Sequence, residues 1–473
     1  INQAKQILEH LQLIRMEPYT NKGKSIIDLY ILTALCLLIF GLLWGITGSL
    51  QYIFPGLMRD RFSFQKVRPL HVSSVVFWII LAGLGSMLTY LQQHTKRVIY
   101  SYRLLLLQYC IFLLTVVSII ISYFLGRFGG REYWEHPPYL ALPIFFGWIF
   151  LLFNFVKSFG GFKNQPVYVW MWLTGIVFFL FTYLESYLWL LPYFRNNIIN
   201  DMTVQWKSYG SMVGSWNMLI YGSSIFLMDK ITNNKDISYS KIAFVLYFTG
   251  LFNLMFNWGH HIYTLPTAPY IKHISYTVSM TELFLIGRII FNWRNTVSTA
   301  KRNFNILSFR FLAAADFWVF LTLLLAVLMS IPGINLYTHG THITVAHTMG
   351  ATIGINTFLL LAIVIDVFND SCIRVEKYKA IIIRGYWIVN ISLLVFWLSL
   401  IGAGLEKSMW QMSKLQISYS IMMQNLSPYF IAFFISGFFL AIGLFMVVYP
   451  LIRIKFVCKL KQTKSSYYVF QSD

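Results

Sequence analysis

Long apolar runs set the terms on which this chain can fold. Twelve can be marked off, at residues 27–51, 70–92, 103–124, 138–157, 166–193, 205–228, 241–263, 271–291, 309–331, 341–368, 384–404 and 426–450. Most exceed the ~20 residues that carry a helix across a hydrocarbon core. Helices are the expected spanning form, because each satisfies its own backbone hydrogen bonds where lipid offers none. The expected fold is all-α, a polytopic membrane protein of twelve transmembrane helices embedded in a lipid bilayer. Residues 1–26 would form a cytoplasmic amino-terminal segment, 27–450 the transmembrane domain and 451–473 a basic cytoplasmic tail. No stretch is long enough for a separate soluble domain. A cleavable signal peptide is not expected, since the first run is too long and lacks a cleavage site.

The formal charge of +20 invites a nucleic-acid reading, which the placement of the basic residues argues against. Lys96, Arg97 and Arg103 follow the second run, Lys230, Lys235 and Lys241 the sixth, and Arg294, Lys301, Arg302 and Arg310 the eighth. Arg374, Lys377, Lys379 and Arg384 follow the tenth, and Arg453, Lys455, Lys459 and Lys461 the twelfth. The positive-inside rule accounts for these short basic loops and puts them, with both termini, in the cytoplasm. Arg59, Arg61, Lys66 and Arg68, after the first run, weaken the asymmetry without reversing it. Cys36, Cys110, Cys372 and Cys458 are far apart and form no CxxC pair, so neither a disulfide framework nor a zinc ribbon is expected. Nor is there a CxxCH for covalently attached haem.

On that topology even-numbered runs begin at the outer face and odd-numbered runs end there. His71 opens the second run, Tyr209 the sixth, and His347 and Met349 lie in the first turns of the tenth, while His260 and His261 close the seventh. Four runs thus bring side chains that can bind a metal to one layer. Met349 is two residues from His347, about 200° around a helix, so the two cannot share one iron but can serve two haems on opposite sides. His260 and His261 are about 100° apart, and at a helix end both can reach a single metal. Neutral imidazole binds iron, copper and zinc, and haem iron is held by His or by a His/Met pair. Taken singly, an intramembrane His is more often a hydrogen-bonding group, a Met is core packing and a His pair at a helix end is as often a loop feature. Convergence at one depth favours ligation. His10, His94, His136 and His273 lie outside the pattern and read as solvated or interfacial. His339 and His342, in the loop before His347, can bond haem propionates, and His342 can instead serve as an additional metal ligand.

At these residues the chain resembles the large catalytic subunit of nitric oxide reductase, within the haem-copper oxidase superfamily. The likeness spans nearly the whole chain and gives the same twelve-helix count. Val67-Arg68-Pro69-Leu70-His71 resembles the low-spin haem ligand motif. Gly130-Arg131-Glu132-Tyr133-Trp134-Glu135-His136-Pro137 resembles a GRExxExP loop whose first glutamate, here Glu132, binds calcium in relatives. Gly259-His260-His261 resembles part of the non-haem metal site. Tyr337-Thr338-His339-Gly340 and Ala346-His347 resemble the segment bearing the proximal ligand of the high-spin haem. Glu282 matches a glutamate needed for activity in the family. The resemblance implies two haem b, one low-spin on His71 and Met349 and one high-spin on His347. It also implies a non-haem iron, or copper, on His260 and His261, with calcium as a further ion.

The departures bear on the reaction. Where the family has a second histidine on the tenth helix, this chain has Met349, which should raise the low-spin potential. Where the family's sixth helix has a third metal histidine followed by two glutamates, this chain has Tyr209, Val213 and Asn217. Steps of four and eight keep these three on one face. Tyr209, a backbone shift or His342 can supply the missing ligand. Reducing two NO to N2O and water consumes two electrons and two protons, carried by carboxylates near the metal. Dismutation of two NO to N2 and O2 needs neither in net terms, and the altered face resembles that of nitric oxide dismutases. The expectation is therefore an NO-converting oxidoreductase of a bacterial inner membrane, leaning to dismutation. Alternatives are a nitric oxide reductase making N2O, an oxygen-reducing terminal oxidase, a non-catalytic haem b electron-transfer or structural subunit, and a transporter using Glu185, Asp316 and Asp366. A membrane-anchored cytochrome c subunit, or quinol, is the expected electron donor.

Overall fold

The computed structural model describes the chain except for residues 1, 282, 285–302, 305, 370, 372, 414–416 and 470–473, with backbone alone at 2–23 and 459–469. The long helices are α1 (Asn2–Ile53), α2 (Phe64–Thr95), α3 (Tyr102–Phe124), α4 (Ala141–Ser158), α5 (Val167–Glu185), α6 (Ile198–Thr232) and α7 (Lys241–Phe256). They continue with α8 (Pro269–Met280), α9 (Leu307–Ser330), α10 (His342–Met349), α11 (Phe358–Asn369), α12 (Lys379–Met412) and α13 (Ser427–Val469). Among the described residues there is no strand, only an isolated bridge between Arg131 and Trp134.

Several starts follow from local chemistry. Asn197 caps α6 by accepting from the amides of Ile199 and Asn200, Ser240 caps α7 from Ala243, and Thr341 caps α10 from Ile343. Pro269 opens α8 at a position where a missing N–H costs nothing.

Among the described residues ten helices are long and apolar enough to cross a bilayer, against the twelve expected. The run at 205–228 lies inside α6, which has the length but is rich in serine and glycine. Its serines turn their hydroxyls back onto the helix, Ser215 to the Ser211 carbonyl at 3.0 Å and Ser223 to that of Leu219 at 2.8 Å, so the helix is buried without orphaned hydroxyls there. The run at 271–291 begins in α8 and passes into residues outside those described.

Glycine lets α1 and α2 close on each other. A Cβ at Gly41 would lie 2.8 Å from Val75 Cγ1, and one at Gly85 2.6 Å from Ile31 Cγ1. Small residues at such crossings are how membrane helices gain contact, since lipid is as apolar as leucine. Large aromatics (Trp78, Trp148, Trp172, Trp318) fill the interior, while Leu114, Phe181 and Ile391 face outward.

Ion pairs gather at the two ends. Lys207 holds Glu185 at the end carrying His71, and Lys230 holds Asp366 at the opposite end, with Tyr90 donating to the same carboxylate. Glu185 and Asp366 are thus both held by lysines. Cys36 and Cys110 are free, and Cys458 is disulfide-bonded, a link that the cysteine spacing did not suggest.

Candidate haem and metal site

Cross-helix bonds fix the depth of each candidate ligand. Trp78 Nε1 donates to Thr357 Oγ1 at 3.2 Å. Trp78 lies seven residues beyond His71, about 10 Å along α2, and Thr357 lies eight beyond Met349, a comparable stretch of the facing helix. His71 and Met349 therefore stand at one level. Asn356 Nδ2 donates to Asn217 Oδ1 at 2.9 Å, which aligns His347 with Tyr209 in the same way. On the far side of α6, a Cβ at Gly210 would lie 3.3 Å from Trp258 Cβ, and Ser211 Oγ donates to the Leu254 carbonyl at 3.3 Å. Tyr209 is thus level with the 3-10 turn Asn257–Ile262 that carries His260 and His261. These cross-helix contacts put the candidate ligands near one level.

Within it, the imidazoles of His260 and His261 are neighbours, with ring centroids 4.2 Å apart. His261 stacks on Trp206 at 4.6 Å, and His260 Nδ1 lies 3.3 Å from Ser279 Oγ. The His260 carbonyl accepts from Asn335 Nδ2 at 3.1 Å. Gly259 is required here, because a Cβ would stand 2.8 Å from that of Ser275. His347 and His339 are both close enough to act electrostatically on the pair. His342 is not. Its ring sits between Tyr52 and Phe430, at 6.3 and 5.2 Å, on the side of α1 and α13. Of the two loop histidines, His339 is the one whose charge acts on the pair, while His342 packs among the rings of α1 and α13.

Tyr209 has the right depth but a different outlook. Its ring stands edge-on to Tyr133 at 5.6 Å, and its buried hydroxyl has no hydrogen-bond partner. Tyr187, Glu135, Glu132 and Arg131 are the charged or polar groups that act on it. No hydrogen bond or ring contact among the described residues joins it to His260 or His261. Nor do three His, Cys, Asp or Glu side chains among the described residues come close enough to hold one ion. The pair therefore offers two imidazoles to a metal, with the remaining ligands unassigned. Val213 is a partly buried core neighbour, Asn217 is engaged by Asn356, and Glu282 lies outside the described residues.

His71 is built to bind through one nitrogen. Its Nδ1 lies 2.8 Å from the Gly41 carbonyl, which can only accept, so Nδ1 carries the proton and Nε2 keeps its lone pair. Gly45 completes the cradle, since a Cβ there would lie 2.9 Å from the imidazole. An imidazole oriented by a carbonyl, its other nitrogen free, suits a haem iron. On α10, Met349 packs at the margin of the core, and His347 Nδ1 is buried with no partner. Eight residues of π-helix, Gly350–Thr357, follow directly, a wide turn of the kind found at functional sites.

The loop between α3 and α4 lies at the same end. Arg68, three residues before His71, reaches Glu132 at 2.5 Å and Glu135 at 2.8 Å. A calcium ion on Glu132 would have to compete with this guanidinium. Gly130 is obligatory, as a Cβ would collide with the Trp134 carbonyl, and Tyr133 adopts a left-handed φ of 67°. Burial pushes the Glu135 carboxyl up, with Arg68 opposing. His136 corrects the sequence reading. It is neither solvated nor interfacial but fully buried, its Nδ1 donating to the Pro137 carbonyl at 3.1 Å, and burial pulls it down to about 4. Burial also lowers His339. His94 is half-buried between Gln165 and Tyr168, His273 is exposed, and the side chain of His10 lies outside the described residues.

The pairing of Arg68 with the loop glutamates, and the parts played by Gly45 and Asn356, were not expected from the sequence. Arg68 carried a signal, three residues before His71 with two loop glutamates to pair. Asn356 and Gly45 carried none without knowing which helices pack together.

A bundle of long apolar helices with histidines near one level and a cradled imidazole is a scaffold that can hold haem within a membrane. The chain belongs to the family described as Cytochrome C and Quinol oxidase polypeptide I, which it matches over residues 25–439. It is 21% identical over 466 residues to a nitric oxide reductase subunit of Stutzerimonas stutzeri, covering 90% of this chain and 94% of that one. It is 22% identical over 432 residues to a cytochrome c oxidase subunit 1 homolog of Agrobacterium tumefaciens, covering 87% and 80%. A solved haem-copper terminal oxidase dimer shares the fold, with a TM-score of 0.70 at 16% identity over 91% of this chain and 84% of that one. Catalytic subunits of this family are oxidoreductases that bind haems and a metal.

Proposed function

We propose that this chain converts nitric oxide, and that its reaction is dismutation, 2 NO to N2 and O2. The α6 face carries the proposal. Where protons would have to be delivered to make N2O and water, it presents Tyr209, Val213 and Asn217, and the Asn217 amide is tied to Asn356. His71 and Met349 would hold a low-spin haem b, His347 a high-spin haem b, and His260 with His261 an iron. When bound, these centres supply the electron exchange that NO chemistry needs. The chain's own part is to orient the imidazoles, exclude bulk water from the layer and withhold protons from it. In the deciding experiment, purified, haem-loaded protein is given 15N18O without reductant. Labelled N2 and O2 in equal amounts support the proposal, and N2O alone or no gas overturns it.

One observation favours a second reading. Glu132 and Glu135 remain at the same end of the molecule, with burial pushing Glu135 towards its protonated form. They could pass protons inward, as reduction to N2O requires, with electrons from a cytochrome c subunit or quinol. That reading expects N2O in proportion to electrons supplied.

A further inference from the structure

The helix that carries His347 and Met349 changes its pitch immediately below them, and three neighbours grip the change. Thr348 Oγ1 donates to the Thr344 carbonyl and Thr352 Oγ1 to that of Thr348, each four residues back. Thr357 Oγ1 donates to the Thr352 carbonyl, five residues back, at 2.9 Å. The side-chain ladder thus steps from four to five with the backbone. Against α9 the wide turn presses its own backbone. A Cβ at Gly350 would lie 2.6 Å from Thr322 Oγ1, and one at Gly354 2.5 Å from Trp318 Cγ. From α2, Trp78 bonds Thr357. From α6, Asn217 accepts from Asn356, whose own carbonyl oxygen is buried and unpaired.

A π-helix adds about one residue per turn, so it rotates what lies above it relative to what lies below. Each grip acts on one side of the segment, and together they leave it one azimuth. We infer that the Asn217–Asn356 amide pair is a positioning device, which holds the wide turn and so sets the directions in which His347 and Met349 present their ligand atoms. Asn217 thereby has a structural task on the α6 face it shares with Tyr209 and Val213. The inference rests on His347 and Met349 being haem ligands, and is indifferent to which reaction follows.

The experiment uses full-length, haem-loaded protein with Asn217→Leu, Asn356→Leu and the double substitution. Each single variant should keep its haem content yet shift the low-spin optical and paramagnetic resonance signals in the same direction. The double variant should shift them no further than either single one, the mark of residues acting as a unit. Amide exchange across 350–357 should quicken at least tenfold in Asn217→Ser, which leaves the wide turn's own sequence intact. Unchanged spectra, additive shifts or unchanged exchange would overturn the inference. Met349→Leu on the wild-type background separates the two layers of argument. If it leaves the low-spin signal untouched, the ligand assignment fails and this inference falls with it.

Discussion

Nδ1 of His71 lies 2.8 Å from the carbonyl of Gly41, one turn of α1 away from the glycine whose missing side chain makes room for the ring. That pairing fixes a tautomer as well as an orientation, and it makes a helix remote in sequence responsible for the ligand.

Gly45→Ala should therefore cost haem. Its Cβ would meet the imidazole at 2.9 Å, whereas one at Gly48 would meet Val67 Cγ1 at 3.3 Å and Phe64 Cε2 at 3.8 Å, and no histidine. The expected outcome is a fall in haem per chain towards half in Gly45→Ala, with Gly48→Ala close to wild type. A pyridine haemochrome assay against protein concentration measures it.

Met349→His should lower the midpoint potential of the low-spin haem. A thioether favours ferrous iron, and imidazole favours ferric. A drop on the order of 100 mV is expected, a modest part of the roughly 0.8 V that axial ligands span. A spectroelectrochemical titration of both forms decides it.

Arg68 serves two carboxylates at once, and its side chain is about one-third exposed. Arg68→Met leaves Glu135 largely buried without its counter-charge, at a cost on the order of 1–3 kcal/mol once solvent screening is allowed for. Arg68→Lys should recover only part, because an ammonium cannot fork to both partners. Thermal melts in detergent should rank wild type above Lys above Met.

His136 makes stability pH-dependent. Its folded-state value is about 4 against 6.5 for the free side chain, with burial as the cause. Above pH 6.5 both states are neutral and the stability is fully present. As pH falls from 6.5 to about 4, the unfolded chain takes up a proton that the folded one refuses, and about 3 kcal/mol is lost. Glu135, pushed up by burial, runs the other way over part of that range. The clean measurement is the difference between wild type and His136→Gln, which should shrink as the pH drops through this window.

Depth was legible in the sequence, and azimuth was not. Residue numbers along twelve apolar runs place His71, Tyr209, His260 and His347 at one level, because a helix rises by a fixed amount per residue. Which way Tyr209 turns depends on what α6 packs against, and Tyr133 belongs to a loop whose path no periodicity reveals. His136 read as solvated for the same reason, since the turn at Gly130 that folds it inward is a tertiary feature. The wide turn after Met349 left only a faint trace, Gly350 and Gly354 four apart, which in an ordinary helix would signal nothing more than close packing.

Returning a carboxylate to the α6 face should change the products. Val213 is partly buried and four residues beyond Tyr209, on the same face. Val213→Glu places a proton carrier there without disturbing Asn217, which remains bonded to Asn356. If proton scarcity steers the reaction, the variant should release less labelled N2 and O2 from 15N18O and, when electrons are supplied, more N2O per electron than wild type. Val213→Gln, the same size without a titratable proton, should behave as wild type does. Equal N2O yields from all three proteins would mean that the face has no hold over the outcome, and the lean towards dismutation would have to be given up.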